Sequence, residues 1–212
     1  MPSVYLIEGN IGSGKSTLLR IMKKHVPDIG NKEVVYIEEP VKVWDTIKDK
    51  DGESVLVKFY NNQRKYAFPF QMMAYISRIS ELRKALKKYD ENTIIVCERS
   101  VYTDKNVFCK MLYDSGIIEE TEFIIYNKWF DEFVDNIEIK GVVYLDVNPN
   151  VCMQRIAKRN RNGEEGVSLE YLQKCKMYHD TWLNTYENIL RIQDDEESKQ
   201  MEWLNKVIKF ME

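Results

Sequence analysis

The chain has 212 residues, 44% of them apolar, enough for one well-packed core. With 31 lysines and arginines against 34 acids, its net charge of -3 excludes a broad electrostatic footprint for duplex nucleic acid but leaves small anionic ligands open. No stretch approaches the roughly 20 apolar residues of a membrane span, and Cys97, Cys109, Cys152 and Cys175 are too scattered for a zinc site or a disulfide frame.

Short β-rich runs alternate with longer amphipathic stretches, the pattern of βα units feeding a parallel sheet. The expected elements begin with a strand at Val4–Glu8, a helix over 15–26 and a strand at Val34–Glu38. Helices over 54–66 and 70–89, a strand at Thr93–Glu98 and helices over 103–113 and 119–136 follow. The chain closes with a strand at Gly141–Asp146, helices over 150–160 and 168–188, a strand at Leu190–Gln193 and a helix over 197–211. Such short apolar strands call for burial on both faces, so a three-layer α/β/α sandwich is expected, as one domain over 1–212. Ligands of these sheets sit beyond the carboxyl ends of the strands. The most unusual residues fall there: Gly9–Ser16, Glu39 and Glu98–Arg99. His25 and His179 lie in helical stretches and are expected at the surface or an interface. The chain opens Met-Pro-Ser and turns apolar at Val4, which leaves no room for a secretory or transit segment. A cytoplasmic protein is expected, with the nucleus as the alternative.

Gly9-Asn10-Ile11-Gly12-Ser13-Gly14-Lys15-Ser16, followed by Thr17, fits G-x-x-x-x-G-K-[ST] between a predicted strand and a predicted helix. The glycines let consecutive backbone N–H groups turn onto phosphate oxygens, and the helix N-terminus adds partial positive charge. Lys15 is expected on the β- and γ-phosphates of a nucleotide and the Ser16 hydroxyl on Mg²⁺. The motif alone does not separate a kinase from a GTPase or an ATPase. Asn127-Lys128-Trp129-Phe130-Asp131 is no guanine-reading N-K-x-D, because the aspartate comes one position late within a helical stretch.

Five ordered anchors resemble the deoxynucleoside kinase family: Gly9–Thr17; Glu39-Pro40-Val41 with Trp44; Phe70-Gln71; Glu98-Arg99-Ser100; and Arg155 to Glu164. The resemblance runs over nearly the whole chain. It implies a five-stranded parallel sheet, a P-loop kinase fold, an arginine-bearing lid at about 155–166, ATP with Mg²⁺ and a homodimer. By resemblance Glu39 is the general base for a 5′-hydroxyl, with Glu38 its nearest rival. Gln71, Ala74 and Arg78 share a helix face that meets the base, beside Phe70 and Phe108, and Trp44 and Leu56 join the substrate-binding residues. Glu98 assists the metal, and Arg99 stands near the transferring phosphoryl. Arg155, Arg159 and Arg161 suit donor phosphates, with Lys158 pointing away, since arginine recognises phosphate in a planar, bidentate way. Tyr60 and Glu164 match positions that hold a sugar 3′-hydroxyl, although Glu165 could replace Glu164.

Arg78 and Asp104 carry the expected base preference. The family's deoxycytidine and deoxyguanosine branches have an arginine and an aspartate there, with a small residue at the place of Ala74. An aspartate accepts from the exocyclic amine that cytosine, adenine and guanine carry and thymine lacks. Deoxycytidine or a purine deoxynucleoside is therefore expected ahead of thymidine. Two other readings compete: a nucleoside monophosphate kinase, which needs extra cations for the acceptor phosphate, and a non-catalytic ATP-binding module, which needs no base.

Overall fold

A computed structural model describes residues 1–134, 137–161, 163–193 and 199–212. Asn162 of the expected lid, and the ends of the expected helices at 135–136 and 197–198, lie outside the described residues. Strand β1 (Ser3–Gly9) runs into α1 (Lys15–His25), and a two-residue β2 (Asp28–Ile29) turns into β3 (Lys32–Ile37). Helices α2 (Val41–Thr46), α3 (Val55–Asn61) and α4 (Gln63–Lys88) precede β4 (Thr93–Glu98). Next come α5 (Val101–Thr103), a π-helical stretch at Asp104–Cys109, α6 (Lys110–Asp114) and α7 (Glu120–Phe133). The remainder is β5 (Ile139–Leu145), α8 (Pro149–Arg159), a 3-10 turn at Glu164–Gly166, α9 (Leu169–Leu183), β6 (Ile189–Ile192) and α10 (Gln200–Met211).

The sheet order is β2-β3-β4-β1-β5-β6. All neighbours from β3 to β6 pair in parallel, and β2 adds a short antiparallel edge to the five strands expected. Both faces are covered, as β4 shows through its period of two. Ile94 and Val96 pack in one cluster with Leu18 and Met22 of α1 and Trp203 of α10. Ile95 and Cys97 turn to the other side, against Leu82 of α4 and Leu183 of α9. A third apolar cluster, with Trp44, Phe59, Phe70 and Tyr75, joins the helices beside the cleft.

Three local features depart from expectation. The helical break falls at Asn62 rather than near Pro69, because the Asn62 side chain accepts from Lys65 N and caps α4. Pro69 then lies inside that helix, where it removes one backbone N–H, a cost offset by the burial of Ala67, Phe70 and Gln71 around it. Helix α2 is a short addition without enough length to show a helical period. The helix expected over 103–113 carries the π-helical stretch, which rotates Asp104 and Phe108 relative to a regular helix.

His179 is the clearest correction, for it is fully buried. It belongs to the inner face of α9 with Leu172, Cys175 and Leu183, a spacing of three and four that marks one side of a helix. Its ring stacks on Tyr144 of β5 at 6.0 Å, and its Nδ1 donates to the Cys175 carbonyl at 2.7 Å. Burial, with Arg99 nearby, holds the imidazole well below its usual pKa, so it is neutral. His25, as expected, is exposed. The four cysteines are buried and, among the described residues, none is in a disulfide. Among the described residues, no helix is long and apolar enough to cross a membrane.

Candidate active site

Strands β1 and β4 lie side by side with Ile7 opposite Glu98, so the loop after β1 and the turn after β4 open at one place. The strand order reverses at β1, since β3 and β4 lie to one side of it and β5 and β6 to the other. A cleft forms at such a switch point. The cavity there is about 1150 Å³, beyond the upper range of about 1,000 Å³ for a single small-molecule pocket and so roomy enough for two ligands. It is lined by every site residue expected from the sequence except Gly9, Asn10 and Ser13.

Those three serve the loop itself. The Asn10 amide donates to the Leu172 carbonyl at 2.8 Å, while its carbonyl accepts from Ile11 N at 2.9 Å, which pins the loop to α9. Gly12 has φ 77, and a Cβ there would stand 2.6 Å from the Cys152 carbonyl oxygen, so only glycine fits. Gly14, left-handed, leads into α1, whose first turn carries no acid to neutralise the positive end of the helix dipole. Lys15 Nζ donates to the Gly9 and Asn10 carbonyls at 2.9 and 2.6 Å. Burial pulls its ammonium down to about 7, Arg99 adds to the effect, and Glu39, Glu98 and Glu8 oppose it. Ser16 Oγ donates to the Glu98 carboxylate. This hydroxyl and carboxylate form a hard-oxygen pair suited to Mg²⁺, which takes one or two carboxylates and completes its shell with phosphate and water. Among the described residues, no group of three or more histidines, cysteines and acids offers an all-protein cage.

Opposite the loop lies a buried ion network. Glu39 Oε1 accepts from Arg78 Nη2 at 3.1 Å and Arg99 Nε at 3.0 Å. Arg78 also donates from Nε and Nη2 to the two Asp104 oxygens, at 2.9 and 3.3 Å. Burial pushes the Glu39 carboxyl up, but Arg99, Arg78 and Lys15 outweigh it and hold it at about 2. For Asp104 burial wins over Arg78, and its pKa is raised. Arg99 is left-handed, at φ 64, a strained conformation for a residue with a side chain. That twist turns Arg99 into the cleft beside Glu98, and its guanidinium lies 4.9 Å over the Phe108 ring. Glu38, by contrast, is half exposed and pairs with Lys23, so of the two neighbours Glu39 alone enters the network.

Apolar walls flank this network. Phe70 stacks on Phe59 at 4.7 Å and meets Trp44 edge-on at 5.4 Å, while the Trp44 indole N–H donates to Ser77. Gln71 is buried, and its Oε1 has no partner, an acceptor held ready in the wall. At the far side Glu164 is buried and Glu165 exposed, which separates the two candidates. Arg159 and Arg161 pair with Glu164, Arg155 donates to the Ser13 carbonyl at 3.2 Å, and Lys158, expected to point away, borders the cavity.

The family model for deoxynucleoside kinases matches residues 5–212. The chain belongs to the deoxynucleoside kinase family. Among its relatives, deoxycytidine kinase 2 of Gallus gallus is 38% identical over 205 residues, which cover 88% of this chain and 75% of that protein. Deoxycytidine kinase of Homo sapiens is 38% identical over 196 residues, covering 84% and 74%. Mitochondrial deoxyguanosine kinase of Xenopus laevis is 30% identical over 195 residues, covering 84% and 71%. The protein is thus a P-loop kinase that phosphorylates deoxynucleosides in nucleotide salvage.

Among the residues around the site that the sequence did not mark, two bear on its geometry. Tyr171, at the start of α9, lines the cavity without belonging to any motif. Glu8 of β1 is fully buried and accepts from Thr103 Oγ1 at 2.5 Å, bracing the turn that presents Arg99 and Asp104. A charged residue inside an otherwise apolar strand was the available signal.

Proposed function

We propose that this kinase uses Glu39 as the general base for the acceptor's 5′-hydroxyl and accepts deoxycytidine or purine deoxynucleosides ahead of thymidine. The buried Glu39–Arg78–Asp104 network carries this reading. A base must reach its proton within about 2.6–3.2 Å, and Glu39 is fixed by two guanidinium groups at the rim where strand β3 ends. A carboxylate held at about 2 is a weak base toward an alcohol. It suffices where the transferring phosphoryl is loose and the hydroxyl loses its proton late, so that Glu39 first orients the hydroxyl and then takes the proton. Arg99 and Lys15 counter the charge of the phosphoryl oxygens.

Gln71 and Asp104 supply acceptors for an exocyclic amine and Arg78 a donor for the ring edge, a set that matches cytosine or a purine and leaves the 4-carbonyl of thymine facing an acceptor. Phe70, Phe108, Trp44, Leu56 and Ala74 form the apolar wall for the base. Tyr60 and Glu164 hold the 3′-hydroxyl, and Arg155, Arg159 and Arg161 meet the phosphates of ATP. Ser16 and Glu98 fit Mg²⁺, which would neutralise phosphate charge.

The active unit we infer is a homodimer of single-domain chains acting in the cytoplasm or nucleus. Ile76 of α4 and Ile124, Trp129 and Phe133 of α7 are exposed, and the Tyr75 hydroxyl bonded to the Trp129 carbonyl links the two helices into one apolar face. A second copy fits such a face by two-fold symmetry. Small substrates only are expected, with neither nucleic acid nor membrane as partner.

Glu39→Gln tests the base. Turnover should fall by about 10³-fold with ATP affinity nearly unchanged. Unchanged turnover would refute the assignment.

A further inference from the structure

Glu164 and Arg159 form the tightest ion pair of the cleft, and their burial is unequal. Arg159 Nη2 donates to both Glu164 oxygens at 2.7 Å and its Nε to Oε2 at 3.1 Å, whereas Arg161 reaches only one oxygen at 3.4 Å. The Glu164 side chain is 5% exposed, against 33% for Arg159 and 38% for Arg161. The anion is therefore fixed inside while its cations stand at the surface, able to turn away. Gly163 helps to fix it. With φ 88, and with the site of a Cβ 2.9 Å from Val57 Cγ2, this residue seats the turn directly on α3, the helix that also presents Tyr60.

This arrangement sets a conflict between the roles proposed above. If Arg159 turns to the donor's phosphates, Glu164 is left as a buried carboxylate without its bidentate partner, which is unfavourable unless another donor replaces the guanidinium. The acceptor's 3′-hydroxyl is such a donor, and Tyr60, which lines the same cavity, offers a second hydroxyl. Burial, and the charge of Glu164, keep the Tyr60 proton in place. The replacement is available only when an acceptor with a 3′-hydroxyl is bound.

We propose that Glu164 is an exchangeable partner, shared between Arg159 and the acceptor's 3′-hydroxyl, and that this exchange makes donor phosphates and acceptor bind with positive coupling. The inference rests on reading Arg159 as a donor ligand and Glu164 as an acceptor ligand. It adds that the 3′-hydroxyl is a signal to the donor half as well as a handle for the acceptor. An acceptor lacking that group leaves Arg159 on Glu164 and the donor phosphates short of one cation. Coupling is reciprocal, so each ligand tightens the other by the same factor.

The test uses the full chain with Mg²⁺ and a non-hydrolysable ATP analogue carrying an imido bridge, its Kd measured by calorimetry with no acceptor, with saturating deoxycytidine and with saturating 2′,3′-dideoxycytidine. Deoxycytidine should tighten analogue binding about 10-fold, within the usual range of coupling between sites. Dideoxycytidine should not, and Glu164→Gln, whose neutral amide needs no guanidinium, should erase the difference. Equal tightening by both acceptors, or none by either, overturns the exchange. The underlying reading fails separately: Arg159→Ala that leaves analogue affinity unchanged, or Glu164→Gln that leaves deoxycytidine affinity unchanged, would remove the roles on which the exchange depends.

Discussion

The phosphate loop, the core of the proposed donor half, comes from one run of chain, Gly9–Thr17, whereas the proposed acceptor half joins Glu39 after β3, Arg78 in α4, Arg99 after β4 and Asp104 in the π-helical stretch. The loop satisfies itself. Lys15 bonds the loop's own carbonyls, and Asn10 anchors it to α9. The acceptor half, by contrast, is held together by charge, with Arg78 bridging Glu39 and Asp104. A contiguous motif can be carried between proteins of many activities because its geometry is local. A network that spans distant elements resists piecemeal change, because altering any one member unpairs a buried charge.

Four measurements would break or sharpen this contrast. The largest effect is expected from Lys15→Met, which should lower kcat by about 10³-fold for every acceptor alike, as befits a generic phosphate device. A loss that differed strongly between acceptors would erase the division between the halves. Next, Arg78→Met combined with Asp104→Ala removes both members of a buried pair together and should raise thymidine turnover relative to deoxycytidine by about 100-fold. An unchanged ratio would place specificity elsewhere.

A smaller effect follows from the Lys15 ammonium, held at about 7 in the free protein. Its depressed pKa means the charged form prevails below that value and is lost above it, while donor phosphates need the charge. ATP binding should therefore take up a proton at pH 8, and affinity should weaken about fivefold from pH 7 to pH 8. Calorimetry in buffers of different ionisation enthalpy reads the uptake, which Lys15→Met should abolish. Smallest is the assembly: Trp129→Glu places a charge in the exposed face of α7 and should halve the mass seen by light scattering, about a twofold change. A mass equal to that of the unmodified protein would refute the proposed interface.

The same contrast explains what the sequence could disclose. The phosphate loop and the strand ends were legible because spacing along the chain is spacing in the structure there. Residues brought together by tertiary contact were legible as types, through a family likeness, but their pairings were not. Arg159 and Glu164 illustrate this, being read as separate ligands of donor and acceptor before the structure joined them. His179 carried a readable signal, its place in the Leu172–Cys175–Leu183 spacing, yet its polarity suggested the surface; the Cys175 carbonyl satisfies one nitrogen and burial keeps the ring neutral. The left-handed Arg99 and the π-helical stretch had no sequence signal, since both depend on how the turn after β4 is braced by Glu8 and Thr103.

The central claim is that the Glu39–Arg78–Asp104 network, and not the phosphate loop, chooses the acceptor. Initial rates with ATP and Mg²⁺ across the deoxynucleosides and their monophosphates test it most directly. The account predicts deoxycytidine or a purine deoxynucleoside as the best acceptor, thymidine well behind, and monophosphates inactive. Thymidine as the best acceptor, or a monophosphate outpacing its nucleoside, would contradict it.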